Sequence, residues 1–397
     1  MKHRLHNILL TSAVFVILIP FGYAQGVMLR GVGAANEGVG SVATAMPISA
    51  GGAINWNPAS ISAFEKNVIE FGAELIQPHT RASTAAASTK GEAGVTPVPS
   101  MAFVWRRSPH SVLTYGIGMA GVGGASSLYS PHAANPAVGV TGRSANVVVM
   151  QITPTIAAQV TERWSLGISP VIDLATVNIN PMGLGGGATT PLTTYGTKYA
   201  WAGGFQIGSF YDHKNHFKTG FMFKSPIWAE DLYFSGLQAP NTPASRSFDM
   251  NLPMTLSAGF SYDGFKDTII GADFRYLDYG HTAGFKEGLV GTTVAGLGWE
   301  SVFAVAVGAE HSFTNKFKGR IGYCWNENPI PPRSSALNVA APLMIQHVLS
   351  FGAGYTFAKD LEVSLCYCHA FKASVTGGGV TNEVSADTGG AGITKRW

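Results

Sequence analysis

The sequence predicts an all-β fold, a transmembrane antiparallel β-barrel of about fourteen strands that holds a small, partly helical N-terminal segment in its lumen. Three observations carry that prediction. Of the 397 residues 46% are hydrophobic and only 12% charged, half or less of the charged share usual in a soluble protein. Yet beyond residue 24 no stretch reaches the roughly 18 unbroken apolar residues that a spanning helix needs. Instead, segments of alternating polarity recur about every 20 to 25 residues from Lys66 onward, each ending in turn residues, and a large barrel spreads its apolar residues in this way. The stretch ahead of them, Gly26 to Ser62, is too rich in Gly and Ala to bury a core of its own and too poor in charge to be a solvated linker. Something must enclose it.

The chain starts with a leader. Lys2 and Arg4 precede an apolar run from Ile8 to Ile19, followed by Pro20 and the small-residue exit Gly22-Tyr23-Ala24. This is the pattern of a secretory signal peptide cut after Ala24; the alternative, a short membrane anchor, wants a longer run. No cysteine lies near the cut, which argues against a lipoprotein anchor. Without Lys2 and Arg4 the chain has 24 basic residues against 23 acidic. That near-neutrality argues against nucleic acid as a partner.

Residues 25–66 are read as a plug and residues 67–397 as the barrel. Within the plug, Asn55-Trp56-Asn57-Pro58-Ala59-Ser60 is a turn with a mechanism. Pro58 fixes its own φ and pushes Asn57 out of the helical region, and a helical turn is able to restart at Pro58. The amide of Asn57 is expected to bond inward-facing groups of the wall.

Fourteen wall segments follow: Val68–Gln77, Met101–Arg106, Leu113–Gly121, Val147–Val160, Trp164–Val177, Tyr199–Tyr211, Phe217–Phe234, Phe248–Tyr262, Thr268–Tyr279, Val302–Phe313, Phe317–Trp325, Gln346–Phe357, Leu361–Lys372 and a short terminal Gly390–Trp397. A single-chain bacterial barrel needs an even number. Pro154 and Pro170 fall inside the fourth and fifth, where each removes a ladder donor and is expected to produce a bulge. Alternation assigns the faces. Ile270, Ala272, Phe274 and Tyr276 share one side and Asp273 and Arg275 the other; Leu361, Val363, Leu365 and Tyr367 alternate with Glu362, Ser364, Cys366 and Cys368; Phe317, Ile321 and Tyr323 alternate with Lys318 and Arg320. Glu70, Glu74, Asp173 and Glu310 fall inward by the same count. The lumen therefore carries charge of both signs, suited to satisfying a plug, and lumen positions such as Arg275 and Cys366 are expected to tolerate change better than lipid-facing ones. A large soluble β-sandwich would give the same alternation but has no use for the leader or the nearly uncharged face.

Three cysteines, Cys324, Cys366 and Cys368, are too few for a disulfide framework. A bond within the C-x-C pair would be strained. A metal pair lacks a second cluster, and packing thiols are the simpler reading, so no cofactor is expected. Most of the 11 histidines lie in the leader, turns or loops, and no nucleophile with a partner base or phosphate-binding loop is evident, so an enzyme is not expected.

Several motifs, in order, carry a resemblance. They are W-N-P-A at Trp56 to Ala59; Phe223-Lys224-Ser225-Pro226-Ile227-Trp228 with Glu230 and Asp231; Asn251-Leu252-Pro253; and Asn326-Glu327-Asn328-Pro329-Ile330-Pro331. With the small-residue segment before them they resemble the FadL/TodX family of outer-membrane transporters for long-chain fatty acids and aromatic hydrocarbons. The resemblance implies fourteen strands, a hatch in the lumen with Asn55, Asn57, Pro58 and Ala59 as gating residues, and a bacterial outer-membrane location. Trp397, an aromatic last residue, resembles the signal read by the barrel assembly machinery, although Lys395 stands where a second outward aromatic is expected.

The third segment, Tyr115 to Gly124, has the apolar character of a wall strand but a glycine density that weakens pairing. In the FadL family a kink in the third strand opens a lateral window, which the resemblance places at Gly116, Gly118, Gly121, Gly123 and Gly124; the alternative is a flexible strand end running into a loop. Long connections, Gly124–Asn146, Asn180–Lys198, Ser235–Ser247 and Asn326–Ile345, offer Leu128, Tyr129, Met182, Leu184, Leu237 and Leu343 as apolar ligand contacts. Rings of charge, the mark of an ion channel, are missing from them. The expected function is passive uptake of hydrophobic small molecules past the lipopolysaccharide leaflet. A plugged general porin is the alternative, separable by salt conductance, and a structural or adhesive barrel is a third.

Overall fold

The structure, a computed structural model, describes residues 25–129, 143–184, 186–187, 192–238, 241–291 and 293–397. The expected leader lies outside these residues, as does most of the connection after the third strand. Fourteen strands close an antiparallel barrel. They are β1 (Val68–Ser83), β2 (Thr96–Arg106), β3 (Leu113–Leu128), β4 (Ser144–Gln159), β5 (Trp164–Asn180), β6 (Lys198–Asp212), β7 (Phe217–Lys224), β8 (Thr255–Phe265), β9 (Thr268–Leu277), β10 (Val302–Ser312), β11 (Phe317–Asn326), β12 (His347–Ala358), β13 (Leu361–Gly377) and β14 (Val380–Arg396). Each pairs with its neighbours in sequence, and Val68↔Arg396 joins β1 to β14. Closure of β1 on β14 pairs the two ends of the sheet, as a sheet in lipid requires. No helix among the described residues is long and apolar enough to cross a membrane.

The alternation sorts the faces as expected. Phe274, Leu365 and Ile321 are 51%, 54% and 50% exposed on the outer surface, whereas Asp273, Arg275, Cys366 and Arg320 are buried within.

Three sequence expectations need correction. The segments Phe217–Phe234 and Phe248–Tyr262 are not continuous wall strands. Ser225-Pro226 ends the first, and Leu232–Gln238 and Thr242–Phe248 instead form a hairpin that pairs with Leu192–Thr194 off the wall. The terminal strand is 17 residues long and starts at Val380, because Gly378 and Gly379, at φ +57° and +76°, make the two-residue turn that a tight hairpin requires. Pro154 and Pro170 produce no bulge. The β4–β5 ladder pairs Ile152↔Ile172 and Ile156↔Ile168 with nothing between; the prolines stand opposite each other, so their missing amides interrupt the ladder without shifting its register.

The inner segment contributes α1 (Ala34–Gly38), α2 (Ala50–Trp56) and a 3-10 turn, Pro58–Ala63. At the start of α2 the Ser49 hydroxyl accepts from Gly52 N at 3.1 Å, and the wall carboxylate Glu70 accepts from Ala50 N at 2.8 Å. Both satisfy amides that a helix N-terminus leaves free.

Candidate functional site

Besides packing Ile54, Ile61, Val42 and Met46 on the wall, the inner segment brings its backbone against it. A side chain built on Gly167 would lie 2.4 Å from Ala59 N, one on Gly220 2.2 Å from Thr44 O, one on Gly308 2.0 Å from Val39 O, and one on Gly322 2.0 Å from Gly40 N. Four strands thus each remove a Cβ so that a second backbone approaches the ladder.

Between these glycines, charged side chains anchor the same backbone. Asp273 Oδ2 accepts from Ala43 N at 2.9 Å and Thr44 N at 3.1 Å. Arg275 donates to Ser41 O, to Arg30 O at 3.1 Å and to Asp273 at 2.9 Å, and its guanidinium lies 3.5 Å over the Trp56 ring. Buried charge is tolerated where it is paired and hydrogen-bonded, and here the inner segment supplies most of the partners, while Asp273 Oδ1 and Arg275 Nε have none among the described residues. Arg320 bonds Glu310 and Glu362, both at 2.7 Å, while Lys318 bonds Glu310 at 2.9 Å nearer the solvent. Asn57 Nδ2 donates to Thr44 O at 2.8 Å and to Ser209 O of β6 at 2.9 Å, and its Oδ1 accepts from Ala59 N at 3.1 Å. Asn55 Oδ1 accepts from Lys224 Nζ at 3.3 Å, and Pro58 opens the 3-10 turn. The sequence reading missed the glycine contacts, although glycines in mid-strand at inward positions were a usable signal. It also missed Tyr279, Phe285 and Trp299, mutually packed loop aromatics against which Gly26 fits. Burial pushes the Tyr279 phenol up, so it stays a donor, and it bonds Gln25 O at 2.6 Å.

The wall is incomplete at one place. The β2–β3 ladder runs from Arg106↔Thr114 to Ser100↔Ala120 and stops. Above it Thr96 to Pro99 stay with β1 and Gly121 to Leu128 stay with β4, so the two strands part. Local sequence explains this: Pro97 and Pro99 have no amide to offer, and Val122 is the extra residue of a bulge between Gly121 and Gly123. The vacated edge of β3 is taken from inside by the N-terminal stretch, through Leu29 N to Val122 O at 2.8 Å and Gly124 N to Val27 O at 3.0 Å. Glu92 N to Leu128 O, 2.7 Å, closes the top of the gap.

A cavity of about 160 Å³ occupies this gap, lined by Met28, Leu29, Ile76, Pro97, Val98, Val147, Met150, Leu343 and Ile345, with Gly121, Gly123 and Gly124 on its β3 side. Gly116 and Gly118 lie lower, within the intact ladder, and face Ile54 of the inner segment. Of the loop residues expected to touch ligand, Leu343 lines the cavity. Tyr129, Met182 and Leu184 are buried in loop-side packing, Leu128 is exposed, and Leu237 lies in the off-wall hairpin. Glu70 caps α2, while one oxygen of Glu74 and both of Asp173 are buried without a hydrogen-bond partner among the described residues.

A closed fourteen-stranded antiparallel barrel with a chain segment folded into it is the architecture of a membrane channel. The chain belongs to the outer membrane protein transport protein family (OMPP1/FadL/TodX), whose model matches residues 18–393. Its fold is similar to the crystal structure of the Pseudomonas putida toluene transporter TodX, with a TM-score of 0.72 at 16% identity over 93% of this chain and 99% of that one. The Ralstonia pickettii toluene transporter TbuX is similar with a TM-score of 0.71 at 17% identity, over 93% and 99% of the two chains. A Pseudomonas aeruginosa FadL homologue gives 0.74 at 13%, again over 93% and 99%. No curated protein sequence matches the chain significantly.

Proposed function

We propose that the protein conducts apolar small molecules passively across the outer membrane, with residues 25–66 as a hatch and the β2–β3 gap as a lateral exit. The observation that carries this reading is the gap itself. Two neighbouring strands leave each other within the wall, and the space between them is mainly apolar. Lipid tolerates no unpaired backbone without a partner, so such an opening is kept only where something uses it. At about 160 Å³ the cavity is close to the roughly 150 Å³ that holds one benzene, which favours single-ring or short-chain cargo, in keeping with the toluene named for two relatives. Secretion through a cleaved leader and recognition of Trp397, beyond the end of β14, by the assembly machinery belong to the same proposal.

The test replaces Gly121 and Gly123 by valine. A Cβ on Gly121 lies 2.6 Å from Val98 Cγ1 across the gap, so the added methyls fill the space. Toluene uptake by cells is expected to fall at least severalfold while the folded barrel, read by heat-modified gel mobility, is retained. Unchanged uptake would argue for passage straight through the hatch.

A further inference from the structure

Below the gap lies a polar cluster of which hatch docking uses only the Lys224–Asn55 bond. Gln151 and Asp173 stand opposite each other on β4 and β5 and are 2% and 1% exposed. Lys224, at the end of β7 and equally buried, donates to Gln151 Oε1 and to Asn55 Oδ1, each at 3.3 Å. Both carboxylate oxygens of Asp173 and the amide nitrogen of Gln151 lack a hydrogen-bond partner among the described residues. With its oxygen held by Lys224, Gln151 is free to turn that nitrogen toward Asp173, yet a carboxylate offers about four acceptor positions. Lys224 and Gln151 do not fill those positions, and a buried unmet acceptor is costly.

Next to the cluster is a cavity of about 10 Å³ where Asn55, Gln151 and Thr153 meet the apolar Val32, Ile54, Met101, Met119 and Val122. Room of that size suits one water-sized group. The residues flanking Val122, Gly121 and Gly123, line the large apolar cavity. The bulged Val122 therefore stands between the small cavity that Gln151 reaches and the large apolar one.

We infer that Asp173 and Gln151 form a head-group site for a neutral hydrogen-bond donor, and that the cargo includes hydroxylated hydrophobes, phenols or alcohols, whose apolar body lies in the gap. This rests on the gap being the cargo's route. One acid and one base leave the cluster without net charge, so a neutral head suits it. A carboxylate head would set its own charge against Asp173, and a plain hydrocarbon leaves the oxygens unmet. A hydrogen bond to a charged acceptor is worth roughly tenfold in affinity or more.

Equilibrium dialysis of the purified full chain against p-cresol, toluene and p-toluate, each corrected for detergent alone, tests the site. p-Cresol is expected to bind roughly tenfold more tightly than toluene, and p-toluate most weakly. Asp173→Ala removes the p-cresol advantage and leaves toluene binding unchanged. Asp173→Asn, which keeps the shape and a neutral acceptor, retains part of the advantage and covers the case in which the alanine variant does not fold. Equal binding of p-cresol and toluene by the unaltered protein, or an advantage that survives Asp173→Ala, overturns the head-group site. Failure of the gap reading shows differently: Gly121→Val then leaves the binding of both compounds unchanged.

Discussion

Asn57 serves three partners with one side chain, Thr44 O, Ser209 O and Ala59 N. Each bond is worth roughly 1 kcal/mol net, so Asn57→Ala is expected to loosen the turn by about 2–3 kcal/mol and to lower uptake of a hydrophobic substrate without lowering the amount of folded barrel; equal uptake would remove its gating role. Outer positions behave otherwise. Phe274→Arg is expected to destabilise the barrel by about 2–4 kcal/mol if it sits near the bilayer midplane, measured by urea unfolding in lipid vesicles, whereas Phe274→Leu stays within error. The alternation of β9 made this contrast readable, since it sets Phe274 apart from Asp273 and Arg275. It gave no hint that Arg275 holds Ser41 and Arg30 in place, because those partners are backbone carbonyls more than 230 residues away. A position read as tolerant is in fact a clamp.

At the scale of elements, the wall strands were legible wherever one face is apolar, and their boundaries failed where that signal fades. The first half of β14, Val380 to Gly389, has no aromatic and little alternation, so only its glycine turn announces it. The paired prolines of β4 and β5 were visible in the sequence, but their standing opposite each other depends on register, which no local pattern encodes. Inward glycines were likewise visible without their meaning. Gly322→Val makes that meaning testable: its Cβ would fall 2.0 Å from Gly40 N, so one of the two backbones must move. Overpacking of this kind costs roughly 1–3 kcal/mol. Limited proteolysis is expected to clip residues 25–66 in this variant and spare the strands; a protected inner segment would mean that the contact is dispensable.

For the whole molecule, low charge, alternation and an even strand count point to a closed barrel, and ordered motifs point to its family. The site was half legible. Glycines and prolines around residues 97 to 124 mark a weak ladder, yet the cavity also needs the N-terminal stretch and Leu343, brought there only by closure. Whether cargo leaves through this gap decides how the barrel works. Val98 and Gly121 face each other across it with Cβ positions 3.7 Å apart, within the spacing of a relaxed disulfide. A Val98→Cys, Gly121→Cys pair therefore allows the gap to be stapled and released in one protein. With the bond verified by mass, toluene uptake is expected to fall severalfold in the oxidised form and to recover on reduction; equal uptake in the two states would contradict lateral exit.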